Sequence, residues 1–555
     1  MNIRQQTREW WKSGSPWIWL NAGAVTISVL MVVGLLLLIA IQGLSYFWPA
    51  DVFDARYRNA DGSVERLIGE ITGAETIPVA RARDNGYPIE EGGQITRYVV
   101  KIGNRDLYGF DFKPIFAPFL FDVTYPEEII VGERREWGNF YGYLQRVLHD
   151  GKVVAEGKAA RAALAEMLPR SIALFEEVES LRKHDIGAIN YQMERLRLER
   201  RRLELDGVKD PSAYEDIARR KAELQQEYER INARIAELGR ELARGSLVIR
   251  TQTDQEITVP LAKVVRIYYP NAMSVFEKLG TYFSKIWEFV SAEPREANTE
   301  GGVFPAIFGT VLMVLLMAVL VTPFGVIAAV YLREYARQGV VIRTIRIAVN
   351  NLAGVPSIVY GVFGLGFFVY FLGGNIDALF FPEAQPAPTF GTPGILWSSL
   401  TLALLTLPVV IVSTEEGLAR IPRAIREGSL ALGATKAETL WRIVIPMASP
   451  AMMTGLILAV ARAAGEVAPL MLVGVVKLAP SLPLDGNFPY LHLERKFMHL
   501  GFHIYDVGFQ SPNVEAARPL VYATSLLLIL LIVLLNLTAI RIRNRLREKY
   551  RAMEH

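Results

Sequence analysis

The chain reads as an α-helical membrane protein: six transmembrane helices, plus an external α+β domain with an antiparallel coiled-coil hairpin. Three observations predict this. Residues 13–50, 301–332, 347–376, 384–414 and 519–540 contain no Asp, Glu, Lys or Arg, and 443–476 is apolar except for Arg462 and Glu466. Each run exceeds the roughly 20 apolar residues needed to cross a hydrocarbon core about 30 Å thick. A long polar stretch, 51–300, separates the first run from the other five.

The expected spans centre near Val32, Met317, Gly364, Leu404, Leu458 and Leu528. The first run is too long for a signal peptide and lacks a small-residue cleavage site, so it is expected to stay as an anchor. Across 555 residues, 51% are hydrophobic and 21% charged, a mixture that fits spans joined to a soluble part. The net charge of +3 points to neither an acidic nor a strongly basic partner. With no cysteine, disulfide scaffolds, Cys-ligated zinc and thiol nucleophiles are excluded. The six histidines show no metal-ligand spacing.

Orientation follows from Lys and Arg in short flanks. Arg4, Arg8 and Lys12 precede the first span; Arg333, Arg337, Arg343 and Arg346 follow the second; the tail "RIRNRLREKYR" is densely basic. "GGNIDALFFPEAQPAP" carries two acids and no base. Both termini (residues 1–12 and the basic tail 546–555) are therefore expected in the cytoplasm, with 51–300 outside.

Within 51–300, runs such as "TRYVVKI" and "EEIIVG" between Gly, Asn, Asp and Pro turns predict strands. From about 143 to 245 the composition shifts to Ala, Leu, Glu and Arg. Ile217, Lys221, Leu224, Tyr228, Ile231, Ile235, Leu238 and Leu242 keep a 4-3-4-3 spacing, and Ile186, Ile189, Met193, Leu196 and Leu203 form a shorter seam. "DGVKDPS" between them predicts the bend of a hairpin. "SLVIRTQTDQEITVPLAKVVRIYYP" then returns to strands. In 277–290, Leu279, Phe283, Ile286, Trp287 and Val290 share a helical face, which suits either the membrane surface or the external domain.

Residues 413–446 form a polar loop between the fourth and fifth spans. "STEE" and "TKAE" fit capping boxes, Pro422 suits a first turn, and Gly433 suits the turn ending that helix. Pro446 is expected to close a second helix before the membrane. Two or three short helices lying across the cytoplasmic face are predicted, a shape suited to a partner's groove.

The spacing of Glu427, Gly433, Ile443 and Ile445-Pro446 resembles the EAA loop of ABC-importer permeases. Here "EGS" replaces the usual two alanines, and Ile445 stands where Leu is commonest. "AGVPSIVYGVFGLG" (353–366), 407–446 and "GLILAVARAAGEVAPLMLVG" (455–474) resemble the phosphate-specific branch of that family, over residues 301–545. The resemblance implies a type I ABC importer permease fold with 51–300 as a periplasmic insertion, in a bacterial inner membrane. It implies docking of the loop on an ATPase subunit. Implied partners are a second permease (PstC type), an ATPase dimer (PstB type) and a periplasmic phosphate-binding protein (PstS type). This chain has no G-x-x-x-x-G-K-[ST] loop, so ATP and Mg belong to the ATPase; it is expected to be a transport subunit rather than an enzyme, binding no cofactor itself.

Arg462 and Glu466 lie within an apolar run, where a charge costs at least about 2.5–3.5 kcal/mol on insertion scales. At i and i+4 they can neutralise each other; alternatively Arg462 offers its donor fork to an oxyanion while Glu466 holds it or switches during transport. Arg462 lies about 24 Å along a regular helix from Pro446, beyond the midplane. Gly354, Pro356 and Ser357, with Ala353, Gly361 and Gly364, fit close helix packing or lining of a pathway. His499 and His503, in a segment returning to the outer surface, are expected to be interfacial. Two other readings remain open: a permease for molybdate or sulfate, and a membrane-tethered sensor or scaffold built on the coiled coil.

Overall fold

The computed structural model describes residues 10–89, 92–511 and 514–551. Arg4, Arg8 and residues 552–555 lie outside the described residues. Among the described residues, six helices are long and apolar enough to cross a membrane, and each contains one expected centre. The first, α1 (Ser15–Ser45), has an apolar surface left almost wholly uncovered by the other described residues.

Residues 53–268 form two antiparallel sheets with a helical hairpin inserted between strands. In the first sheet, β1 (Phe53–Arg58), β2 (Val64–Pro78), β3 (Gln94–Lys101), β4 (Phe112–Phe116) and β5 (Leu120–Thr124) run in the order β4-β3-β2-β1-β5. Phe53, Ala55 and Tyr57 of β1 alternate inward, the period-two pattern of a half-buried strand. The second sheet takes β6 (Ile129–Arg134), β7 (Phe140–His149), β8 (Lys152–Glu156), β9 (Gly245–Arg250), β10 (Glu256–Pro260) and β11 (Val264–Tyr268), ordered β10-β9-β7-β6-β11 with β8 on β7.

The helical part starts later than the composition suggests. Residues 143–156 are strand, and only α2 (Lys158–Ser180) opens the hairpin, packing Ala160 and Leu164 on Phe140, Val147 and Leu247. A π-turn at Leu181–Ile186 joins α2 to α3 (Gly187–Leu205), and α4 (Pro211–Leu242) returns. Asp210 caps α4 by accepting from Ser212 N at 3.0 Å, with Pro211 in the first turn. Ile189, Leu196, Ile217, Leu238 and Leu242 are buried along the expected seam, whereas Lys221 is exposed.

The hairpin rests on the bundle's loops. Tyr191 donates from its hydroxyl to Phe488 O at 2.7 Å and meets the His492 ring edge-on, and Arg195 lies over the Phe488 ring. Helix α5 (Val275–Ser291) follows the second sheet, started by a Ser274–Glu277 capping box. Its predicted apolar face divides: Ile286 and Val290 pack inward beside Phe47 and Phe289, while Phe283 and Trp287 point outward, exposed.

The remaining spans form the bundle: α6 (Phe304–Val330), continued by a π-turn to Tyr335; α8 (Ser357–Phe380), preceded by a separate amphipathic helix α7 (Val340–Leu352); α9 (Ile395–Arg420); α11 (Lys436–Gly465), preceded by α10 (Arg423–Ala431); and α13 (Val514–Arg551), preceded by the short α12 (Leu500–Tyr505). Met313 and Val321 of α6, Leu402 and Val410 of α9, and Ala459 and Ala463 of α11 make the central core. The basic tail continues α13 as helix through Arg551. One end of the bundle carries the 51–300 domain; the opposite end carries α10.

Candidate functional site

Two features of α11 define the site: the turn that enters it and the break that ends it. Pro422, extended at φ −58°, ψ 142°, stands just before α10. At the other end Gly433 takes φ +89°, a backbone region that costs glycine little. Gly433 N donates to Leu430 O and Ala434 N to Ser429 O, closing a Schellman motif. Thr435 and Glu438 then form a reciprocal capping box, so "TKAE" starts a helix as expected.

Two expectations for this loop are corrected. "STEE" starts no helix; it lies inside α9, which continues past its apolar residues to Arg420. Pro446 closes no helix either. Residues 436–465 form one span, and a π-turn at Leu440–Val444 ends just before Ile445 and Pro446. Proline has no N–H to donate and crowds the carbonyl four residues back; a locally widened turn accommodates both. The polar loop is therefore one short helix and one turn leading straight into a span.

Polar contacts fix this element to the bundle. Arg426 donates to Ile421 O at 2.7 Å, to Leu418 O at 2.8 Å and to Glu334 at 2.9 Å. The Ser429 and Thr439 hydroxyls bond at 2.8 Å across the turn, and Lys436 reaches Glu334 O and lies over the Tyr335 ring. Arg346 pairs with Glu415 at 2.5 Å beside it. The sequence signal for these clamps is charge at span ends, which by itself indicates orientation and not which residues pair. Glu427 is exposed, with no hydrogen bond or ion pair among the described residues. Leu432 (91% exposed) and Trp441 (75%) give the same surface large apolar side chains. Ile443, Ile445 and Pro446 are half-buried where α11 enters the bundle.

At the far end, α11 stops at Gly465 and Glu466 is extended (φ −79°, ψ 132°). Arg462 Nε approaches Glu466 Oε1 at 3.4 Å, and its two terminal amino groups have no partner among the described residues. The pair is thus formed but single-pronged, at a helix end rather than within one helical face. That leaves most of the guanidinium fork available.

The segment after Arg462 is held by close packing. A Cβ added at Gly361 would lie 2.7 Å from Pro469 Cα, and one at Gly364 would lie 2.3 Å from Thr401 Oγ1. The close approach of the third span is made there. Gly354 and Pro356 are exposed and Ser357 half-buried around the break between α7 and α8, and a Cβ added at Gly354 would meet only Asn351 O, at 3.4 Å, among the described residues. His499 and His503 are not interfacial: both are buried, and His499 Nδ1 accepts from Gly501 N at 3.1 Å to cap α12. Both rings pack beneath the loop between the fifth and sixth spans, where burial lowers their pKa to about 4. Among the described residues, no group of three or more His, Asp or Glu side chains is placed to hold a metal ion.

Six spans, an exposed helix turned directly into a span, and a part-free arginine at that span's broken end define a membrane permease subunit. The family model described as "binding-protein-dependent transport system inner membrane component" matches residues 321–551. The phosphate transport system permease protein PstA 1 of Mycobacterium tuberculosis (strain CDC 1551 / Oshkosh) is 36% identical over 44% of this chain and 71% of its own length. PstA of Yersinia pestis is 32% identical over 45% of this chain and 75% of its own. PstA of Mycobacterium leprae is 39% identical, but the chain covers only 58% of its length. The chain belongs to the PstA family of phosphate transport system permeases.

Proposed function

We propose that this chain is a transmembrane permease subunit of an ATP-driven importer that moves inorganic phosphate across the bacterial inner membrane. It works with a PstC-type permease, a PstB-type ATPase dimer and a PstS-type periplasmic binding protein, and the ATPase supplies the ATP and Mg chemistry. Both termini face the cytoplasm, and 51–300 is periplasmic. One observation carries the mechanism: α11 runs without a break from Lys436, just past the turn at Gly433, through Arg462 to Gly465. Movement of α10 against an ATPase, led by Glu427 and the exposed Leu432, is carried along that rigid helix to its broken end. Gly433 sets the angle of the turn, while Ile443, Ile445 and Pro446 seat the helix in the bundle. At the far end Arg462 offers its free amino groups to a phosphate oxyanion, and Glu466 holds the side chain by its Nε. Gly354, Pro356 and Ser357, at the break between α7 and α8, line the pathway toward the second permease.

The test is labelled-phosphate uptake by the assembled transporter in cells lacking their own high-affinity system. Arg462→Ala is expected to abolish uptake, while Arg462→Lys, which keeps charge without the fork, retains a small fraction. Unchanged uptake by Arg462→Ala at normal expression overturns the pathway assignment.

A further inference from the structure

Helix α5 has two kinds of surface. Its inner surface is fixed: Tyr282, Ile286, Phe289 and Val290 pack with Phe47, Val303 and Ala306. Lys285 pairs with Glu133 at 2.8 Å, Glu288 with Arg266 at 2.9 Å, and Glu288 with Arg295 at 2.8 Å. Burial opposes the charge on Glu133, yet Lys285 and Arg266 outweigh it and hold the carboxyl near pKa about 2. The outer surface carries Phe276 (86% exposed), Leu279 (37%), Phe283 (64%) and Trp287 (71%), one stripe at helical spacing left exposed by the described residues.

The position of that stripe is set by two spans. Phe47 and Trp48, just past the end of α1, meet Phe289 and Tyr282 of α5. At the other end Val303 N donates to Phe289 O and Phe304 N to Ala292 O, tying the end of α5 to the first turn of α6. A helix held to the last turn of one span and the first turn of the next lies at the membrane boundary. The apolar faces of those spans continue into its stripe: Leu44 and Trp48 are exposed on one side and Phe304 on the other.

We propose that Phe276, Leu279, Phe283 and Trp287 lie in the headgroup region of the lipid leaflet on the domain side, so that α5 anchors the 51–300 domain to the membrane surface. The occupant is lipid: an aromatic-rich stripe level with span ends suits the wet–apolar boundary. Held in this way, the domain keeps its hairpin on the loops touched by Tyr191 and Arg195. The proposal rests on the six helices spanning a bilayer.

The absence of native cysteine allows single spin labels on the full chain, attached before it is assembled with unlabelled partners and reconstituted in phosphatidylethanolamine and phosphatidylglycerol liposomes. Labels at Phe283→Cys and Gly280→Cys are compared with Leu30→Cys in α1 and Arg230→Cys on the hairpin. Gly280 is the fallback if Phe283→Cys folds poorly, since a Cβ there meets nothing within 4 Å. Oxygen should be favoured over a water-soluble nickel chelate severalfold more at 280 and 283 than at 230, and less than at 30. That corresponds to a depth of about 5–10 Å. A ratio at 280 and 283 equal to that at 230 overturns the proposal, showing a water-facing stripe. Exclusion of both reagents also overturns it, showing a protein partner in place of lipid. Failure of position 30 to read as lipid-buried would instead refute the spanning assignment itself.

Discussion

The two ends of α11 are secured by different physics. At the turn end, side-chain polarity does the holding: Arg426, Lys436, Glu334 and the Ser429–Thr439 pair tie α10 and its turn to the bundle. At the Arg462 end, shape does most of it. Gly361 meets the backbone of Pro469, Gly364 meets Thr401, and two histidines are buried without charge. Charged clamps tolerate small displacements because long side chains follow them, whereas a glycine seated on backbone does not. On the proposed mechanism, the end that would receive a push is compliant in its side chains, and the end that would position an arginine is sterically exact.

The largest expected effect separates the ends by pH. Burial lowers both His499 and His503 from 6.5 to about 4; for His503, Asp506 partly opposes this and Lys477 adds to it. A base whose folded pKa is depressed binds fewer protons folded than unfolded throughout the interval from 6.5 to 4. Stability therefore falls as pH is lowered through that window, by at most about 1.4 kcal/mol per pH unit for each histidine. Thermal unfolding of the purified chain in detergent should show this slope, and His503→Gln should make it shallower. An unchanged slope in His503→Gln would mean that this ring does not report the packed end.

Arg426→Ala tests the polar end. It removes three hydrogen bonds and leaves Glu334, 12% exposed at its side chain, without its partner. A loss of about 2–3 kcal/mol is expected. Adding Glu334→Gln should restore part of it, because the stranded charge is gone. Equal losses in the single and double variants would show that the carboxylate was never compensated by Arg426.

Gly361→Ala tests the packed end. The new Cβ would lie 2.7 Å from Pro469 Cα and 2.9 Å from Pro469 O, backbone atoms that no rotamer change can clear. Overpacking costs about 1–3 kcal/mol. Gly366→Ala, where nothing lies within 4 Å, is the control and should be neutral or mildly stabilising. Matching unfolding curves for the two variants would remove the steric account of this end.

How far these ends were legible in sequence follows the same division. Local signals carried the turn: Gly433, the Thr435–Glu438 box and the charge-free runs each depend on near neighbours. The errors arose where a helix outlasted its hydropathy. "STEE" resembles a start because its capping pattern is local, yet α9 runs on because Thr414, Gly417 and Leu418 are buried against the bundle. Pro446 resembles a stop, and the π-turn before it is invisible in composition. The clamps Arg426–Glu334 and Arg346–Glu415 join residues far apart in the chain, as does the seat of Tyr191 on the loop of Phe488. No periodicity encodes such contacts. The strand-rich domain and the hairpin seam are readable, but the hairpin's first helix starts later than composition suggests because β7 and β8 carry Leu, Val and Ala as helices do.

The smallest effect belongs outside both ends, on the hairpin. Arg220 bridges α4 to α3 by pairing with Glu199 at 2.8 Å, both side chains more than 40% exposed. Water screens such a pair and two long side chains must be ordered to make it, so Arg220→Ala should cost about 0.2–1 kcal/mol. Raising the salt concentration should erase most of that difference. The Arg426→Ala loss should persist, because Arg426 and Glu334 are mostly shielded and two of the three bonds go to backbone carbonyls. Denaturation of both variants at low and high salt distinguishes a clamp from a decorated surface. If Arg426→Ala lost its effect in salt as Arg220→Ala does, the turn end would be held by exposed charge alone, too loosely for the proposed drive of α11.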